Sequence, residues 1–306
     1  MIWIILGIVL FVFIVGFFLF LYFVYRKAFY SPMPWQNKDL CLSKSIDYQG
    51  TEEKAVSLIN NLLEIPYEDV YITSFDGLKL HGYFYKCDNS KEVAIMFHGY
   101  RGTPRRDFSG GAIEMMNLGK NVLLIDHRAH GLSQGHTITF GKREQRDVLS
   151  WINYAKERLG ENLKICIVGI SMGGATVLMS SDKIDPEIKI IADCPYSSTK
   201  DEIKWILRKY HAPVALLYPF TALASIVFGH TRANGDALKN VSNSKNRILI
   251  IHGTSDTIVP YRMSERVYLK NKDHVQYELF EGVEHGLSYI RDTERYRELI
   301  VDFLKE

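Results

Sequence analysis

Gly169-Ile170-Ser171-Met172-Gly173 is the stretch on which the reading of the fold turns. The run before it, Leu163-Lys164-Ile165-Cys166-Ile167-Val168, has the apolar character of a buried strand, which puts the serine on a strand-to-helix turn. Glycines two residues before and after the serine let the backbone turn sharply without Cβ clashes, so that the hydroxyl projects from the end of a sheet. A nucleophilic serine needs that geometry. Five residues alone also match by chance, so the rest of the chain must supply partners for the hydroxyl.

Two partners follow in the chain order expected of such an elbow, acid first and histidine second. After Arg247-Ile248-Leu249-Ile250-Ile251, the sequence HGTSDTIVP puts Asp256 in a strand-end loop closed by Pro260. After Val275-Gln276-Tyr277-Glu278-Leu279-Phe280, the sequence EGVEHG puts His285 between the turn glycines Gly282 and Gly286. With these in place, residues 67 to 306 resemble the α/β-hydrolase family. The segments SFDGLKLHGYFY, AIMFHGYRG, LLIDHRAHGLSQG, VGISMGG, IIHGTSD and EGVEHG occur in the family's order. The chain looks most like the group of membrane-anchored serine hydrolases of the Bem46/ABHD13 type. His98-Gly99 is followed by Tyr100, Arg101 and Gly102 instead of the further glycines of the HGGG-bearing lipases. The resemblance implies an α/β-hydrolase fold, with a mostly parallel central sheet, helices on both faces and a helical lid.

A serine hydroxyl is a weak nucleophile at neutral pH, so it needs a base within hydrogen-bond reach and a carboxylate that fixes and charges against that base. Ser171, His285 and Asp256 are the candidates for these roles. Negative charge developing on a substrate oxygen is assigned to two backbone N–H groups, that of Met172 after the nucleophile and that of Tyr100 after His98-Gly99. Activity is then expected to rise with pH through the titration of His285. Asp126-His127-Arg128-Ala129-His130 has the look of a metal site, but the family match makes this loop structural or pocket-lining. His98 is expected to orient the loop that follows it. Arg101, Arg105 and Arg106 are candidates for an anionic head group, against the commoner fate of exposed, solvated arginines. No metal and no cofactor is implied.

Residues 1 to 25 carry no charged side chain and are almost wholly apolar before Arg26-Lys27. At 1.5 Å per residue they are long enough for a hydrocarbon core of about 30 Å. The basic start, short apolar core and small-residue cleavage site of a signal peptide are not evident. The reading is one N-terminal transmembrane helix, with Tyr22, Tyr25, Tyr30 and Trp35 as an interfacial belt. Arg26, Lys27, Lys38 and Lys44 beyond the span favour a cytoplasmic catalytic domain by the positive-inside bias. Cys41, Cys87, Cys166 and Cys194 lack metal-ligand spacing and read as free thiols.

The organisation expected is a transmembrane anchor over 1–27, a connector with an entry helix (TEEKAVSLINNLLEI) over 28–66, and the hydrolase domain over 67–306. Val70 to Phe75 and Leu80 to Cys87 flank Asp76-Gly77 and predict a hairpin. From Glu92 onward, apolar strands alternate with helical segments, as in a parallel sheet covered on both faces. About fifty residues separate the strand ending at Asp193 from that beginning at Arg247, more than a bare crossover needs. This stretch, about 199–246, is a candidate lid whose Trp205, Leu217, Tyr218 and Phe220 offer an apolar substrate surface. Its other readings are a surface that dips into the bilayer and ordinary packing on the core.

A net charge of +2 with interspersed signs sets nucleic acid aside as a partner. The leading reading is a membrane-anchored enzyme that hydrolyses a hydrophobic or acyl-lipid ester through an acyl-enzyme. Thioesterase, amidase, peptidase and acyltransferase chemistry would use the same residues. A non-catalytic membrane adaptor on the same fold is the reading from another class, and no obligate protein partner is evident.

Overall fold

The computed structural model describes residues 1–31 and 48–305. Trp35, Lys38, Cys41 and Lys44, with the rest of residues 32–47, lie outside the described residues. The strands are β1 (Glu68–Thr73), β2 (Lys79–Tyr85), β3 (Glu92–Phe97), β4 (Asn121–Ile125), β5 (Lys164–Ile170), β6 (Lys189–Asp193), β7 (Ile248–Gly253) and β8 (Val275–Phe280). They form one eight-stranded sheet in the order β1-β2-β4-β3-β5-β6-β7-β8. β2 is antiparallel to both its neighbours, and every other pair is parallel. The hairpin predicted around Asp76-Gly77 is therefore β1–β2.

The helices are α1 (Ile2–Ala28), α2 (Glu52–Leu63), α3 (Pro104–Asp107), α4 (Ser109–Asn117), α5 (Glu144–Leu159), α6 (Met172–Ser180), α7 (Thr199–Lys209), α8 (Val214–Val227), α9 (Ala237–Ser242), α10 (Tyr261–Tyr268), α11 (Ser288–Arg291) and α12 (Thr293–Lys305). Because side chains alternate across a strand, β3 sends Val93, Ile95 and Phe97 into one core and Ala94 and Met96 into the other. The first core is closed by Trp151 and Ile152 of α5 and by α6, the second by Leu62 of α2, Met115 of α4 and Phe303 of α12. Burial on both faces explains why these strands read as continuous apolar runs. Between β3 and its neighbours β4 and β5 the order of connections reverses, which opens a crevice beyond the carboxyl ends of the strands.

The long gap between β6 and β7 holds two contrasting helices. α7 is amphipathic, with Ser198 Oγ capping the Asp201 amide at 3.1 Å, acids in its first turn and Arg208 and Lys209 in its last. α8 carries no charge and packs along α1.

By length and composition α1 can cross a membrane. Its C-terminal third and the residue that follows it, however, belong to the domain: Leu21, Tyr25 and Phe29 are buried in the first core. Tyr25 Oη lies 2.6 Å from Thr137 Oγ1, and the Ile138 amide donates to the Phe29 carbonyl at 2.8 Å. Tyr25 is thus inside the protein and not in an interfacial belt, since its hydroxyl and ring both find partners there. Tyr22 is exposed and Tyr30 half-buried.

Candidate active site

Ser171 follows β5 directly and caps α6, with φ 53° and ψ −115°. That is a left-handed conformation for a residue with a Cβ, costing on the order of 1–3 kcal/mol, and the surrounding packing enforces it. The flanking glycines are needed for space, since neither has a positive φ. A Cβ on Gly173 would overlap the Phe97 carbonyl at the end of β3, and one on Gly169 would overlap the Gly173 backbone. Gly173→Ala is therefore expected to push α6 off the sheet, at a cost above the ~1–3 kcal/mol of ordinary overpacking. Thermal unfolding measured beside turnover checks this, with both expected to drop together.

His285, in the loop after β8, places Nε2 2.9 Å from Ser171 Oγ and Nδ1 2.6 Å from Asp256 Oδ2. Asp256 Oδ1 accepts the amides of Ile258 and Val259, each at 2.8 Å. With the carboxylate ionised, Nδ1 carries the proton and Nε2 is left to accept from the serine, a tautomer assigned from the network. Burial opposes ionisation of Asp256, but the charge of His285 and hydrogen bonds from His252 and His285 outweigh it and hold the carboxyl well below its usual range. Burial likewise opposes charge on His285, but neighbouring Cys194 and the Asp256 carboxylate outweigh that and raise it well above the ordinary histidine value.

The amides of the loop after β3 are almost all spent. Gly99 N–H donates to Asp107 Oδ2 (2.9 Å), Arg101 N–H to His130 Nε2 (3.1 Å) and Gly102 N–H to the Gly99 carbonyl (3.0 Å). The amides of Tyr100 and Met172 have no acceptor among the described residues. Arg101 has φ 53°, so the turn that frees the Tyr100 amide is held by its neighbours' bonds. The Tyr100 hydroxyl donates to the Ala28 carbonyl at 2.9 Å, and the Arg101 guanidinium to the carbonyls of Lys27 and Tyr30 at 3.0 and 3.1 Å. These carbonyls at and just beyond the C-terminal end of α1 would otherwise lack intrahelical partners. α1 is thereby tied to the loop that presents the free amide.

His98, His127 and His130 form a buried cluster behind this loop, with ring centroids 4.8 Å apart for His98–His127 and His98–His130. His98 Nδ1 lies 2.7 Å from the Gly99 carbonyl, and His98 Nε2 accepts the His127 amide. His130 Nδ1 lies 3.0 Å from the Arg128 carbonyl. Burial depresses all three, His127 to about 3, His130 to about 4 and His98 well below the ordinary value. They are neutral struts for the loop. The three arginines considered for an anion are also engaged: Arg101 on α1, Arg106 with Asp107 at 2.8 Å, and Arg105 over the rings of Tyr83 and Tyr67.

Four further residues neighbour the site; Cys194 was expected to border the pocket from its place at the strand end before the lid, and His252, Glu202 and Tyr48 escaped the sequence. His252 Nε2 is 2.9 Å from Asp256 Oδ2 and its Nδ1 is 2.7 Å from Ser264 Oγ, so a second imidazole holds the acid; the signal was its place in HGTSD. Cys194 Sγ is 3.9 Å from His285 Nε2. Glu202 of α7 is buried, and burial pushes its carboxyl up to about 8 in the field of His285 and Asp256. Burial pushes the Tyr48 phenol up to about 12, with His285, Cys194, Asp107 and Arg106 acting on it. Ligand atoms of Cys194, Asp256 and His285 lie within 4.8 Å of one another. Burial pushes the Cys194 thiol up to about 12, and Asp256 is already bonded to His285, so the set favours proton transfer over metal ligation.

Of the apolar residues expected to meet substrate, Trp205, Tyr218 and Phe220 pack at the edge of the first core and Leu217 is half-buried. Phe220 directs its ring at Phe17 and Phe20 of α1, with centroids 6.1 and 5.5 Å away.

A model of the family described as serine aminopeptidase, S33, matches residues 88–223. YqkD of Bacillus subtilis (strain 168) is 29% identical over 240 residues, covering 76% of this chain and 77% of that protein. The lysophosphatidylserine lipase ABHD12 of Danio rerio is 26% identical over 190 residues, covering 59% of this chain and 47% of its own length. Among solved structures, the Pyrococcus furiosus esterase Pf2001 matches with a TM-score of 0.66 at 26% identity, covering 79% of this chain and 92% of that one.

Proposed function

The chain is a member of the α/β-hydrolase superfamily, and from that premise we propose that it is a membrane-anchored serine hydrolase of carboxylic esters with a hydrophobic or acyl-lipid part. The observation that carries this reading is the continuous line from Ser171 Oγ through His285 to Asp256, together with the Tyr100 and Met172 amides that have no acceptor among the described residues. Ser171 Oγ attacks the ester carbonyl while its proton passes to His285 Nε2. Asp256 stabilises the imidazolium, and the amides of Tyr100 and Met172 take the oxyanion. As the intermediate collapses, His285 returns the proton to the leaving alkoxide. Water then enters by the same base and releases the acid.

In this reading α7 and α8 roof the site as a lid over about 199–246, and Trp205, Leu217 and Tyr218 line its acyl side. Anchoring is supported by the way the end of α1 is built into the core, which a cleaved leader would not share. Arg26 and Lys27 at that end support a cytoplasmic catalytic domain. The esterase and lipase names among the relatives favour an ester; the aminopeptidase family description favours an amide. Hydrolysis by the full chain in detergent, of p-nitrophenyl esters of increasing acyl length beside an aminoacyl p-nitroanilide, separates them. Turnover of the esters, rising with acyl length, is expected; turnover of the anilide alone would replace the ester reading by the peptidase one.

A general base must be neutral, and the pKa of His285 is raised, so kcat/KM is expected to rise with pH to a midpoint above 6.5. Asp256→Asn removes a cause of that rise. It is expected to move the midpoint down and to lower kcat by about 10⁴-fold. A pH–rate profile of both proteins checks the direction.

A further inference from the structure

α1 and α8 lie side by side. Phe220 packs on Phe17 and Phe20, and Phe228 packs on Tyr22 and Tyr25 with centroids 5.3 and 5.8 Å away. The contacts therefore advance along both helices in the same direction. Every residue of α1 from Ile2 to Gly16 is exposed, and the face that meets the domain begins at Phe17. α1 carries no charge before Arg26, so Phe17 and Phe20 stand about 9–14 Å along the helix from its first charged residue, inside the apolar run. With α1 as a span they lie at hydrocarbon depth, and Phe220 lies there with them.

The outer face of α8 is suited to that depth. No charged residue occurs from Ala212 to Gly229. At helical spacing the outward positions are Leu216, Pro219, Leu223 and Ile226, with Leu216 57%, Leu223 36% and Ile226 41% exposed. A helix facing water carries polar residues on that side. Here the apolar face lies beside the exposed surface of α1, and one solvent suits both.

We propose that α8 is immersed in the lipid leaflet beside α1, with its Leu216–Leu223–Ile226 face against the acyl chains. This rests on the reading of α1 as a membrane span and extends it from a tether to a two-helix seat. The seat fixes the depth of the site. Leu21 to Ala28 is about 10 Å of helix, and Lys27 and Ala28 hold the loop of Tyr100 and Arg101. The free amides thus stand close to the head-group layer. The substrate class that fits is an amphiphile resident in the leaflet, its acyl chain in the hydrocarbon and its ester at the head-group boundary.

The test uses the full chain with Cys41→Ser and Cys87→Ser, carrying a nitroxide on Val12→Cys, Leu223→Cys or Leu269→Cys, in phosphatidylcholine vesicles. Collision with dissolved oxygen, which concentrates in hydrocarbon, is compared with collision with a water-soluble nickel chelate. The oxygen-to-nickel ratio is expected to be several-fold higher at both Val12 and Leu223 than at Leu269, an exposed position at the end of α10. A high ratio at Val12 with Leu223 equal to Leu269 overturns the immersion of α8 and leaves the anchor standing. A ratio at Val12 equal to that at Leu269 removes the anchor and the immersion together.

Discussion

Ser171→Ala is expected to lower kcat for ester hydrolysis by about 10⁴- to 10⁶-fold, with KM little changed. The substitution removes the hydroxyl that the proposed mechanism uses as nucleophile, and with it the hydrogen bond to His285 Nε2. The amides of Tyr100 and Met172, the His285–Asp256 pair and the apolar surface of α7 and α8 stay in place. Binding and oxyanion stabilisation therefore survive, and a small rate above water is expected to remain. Stability is expected to be nearly unaffected, because the backbone strain at position 171 is set by Gly169, Gly173 and the bond from the Ser171 amide to the Asp193 carbonyl at 2.8 Å. Steady-state rates at several acyl lengths, with a melting curve for each protein, separate loss of chemistry from loss of fold. A variant that melts like the parent and still turns over within tenfold of it would remove Ser171 from the chemistry.

Deleting residues 1–31 is expected to do far more than release the protein from membranes. Leu21 and Phe29 are fully buried, and Leu→Ala and Phe→Ala in cores cost about 2–5 and 3–5 kcal/mol. Losing both side chains together with Tyr25 removes much of a typical domain's stability of about 5–15 kcal/mol. The deletion also takes away the carbonyls that hold Tyr100 and Arg101, so the loop bearing a free amide loses its anchor. Aggregation, or a strongly lowered melting point with activity that detergent does not restore, is the expected result. Phe29→Ala in the full chain isolates the packing part, and Tyr100→Phe the tie from loop to helix. Tyr100→Phe is expected to lower kcat more than it raises KM while leaving membrane association unchanged.

Much of this was legible because strand-end chemistry leaves local marks. An apolar run followed by a glycine-flanked Ser171, a loop acid before Pro260 and a histidine between Gly282 and Gly286 each show their position within a few residues. The hairpin around Asp76-Gly77 was legible for the same reason. The docking of α1 was not. Its side chains are apolar on every face, so no stripe marks the side that meets the core, and Leu21 looks no different from Leu19 in sequence although one is buried and the other exposed. The reason for the elbow's glycines was only half visible: Gly173 makes room for the end of β3 and Gly169 for the backbone of α6, while Ser171 itself takes the strained φ. Glu202 reaches the site through the first turn of α7, a contact that only the folded chain brings about. The DHRAH segment offered histidines without their partners: the His130 ring meets the Arg128 carbonyl and the Arg101 amide, and the His127 ring packs edge-on against His98.

The most direct test of Ser171 as the activated nucleophile is its reaction with a fluorophosphonate, followed by peptide mass spectrometry of the full chain in detergent. One adduct per chain, on the peptide containing Gly169 to Gly173, is expected. It should be absent from Ser171→Ala and strongly slowed in His285→Ala. A folded protein that takes up no label while hydrolysing esters, or one that carries the adduct on another residue, would contradict the assignment.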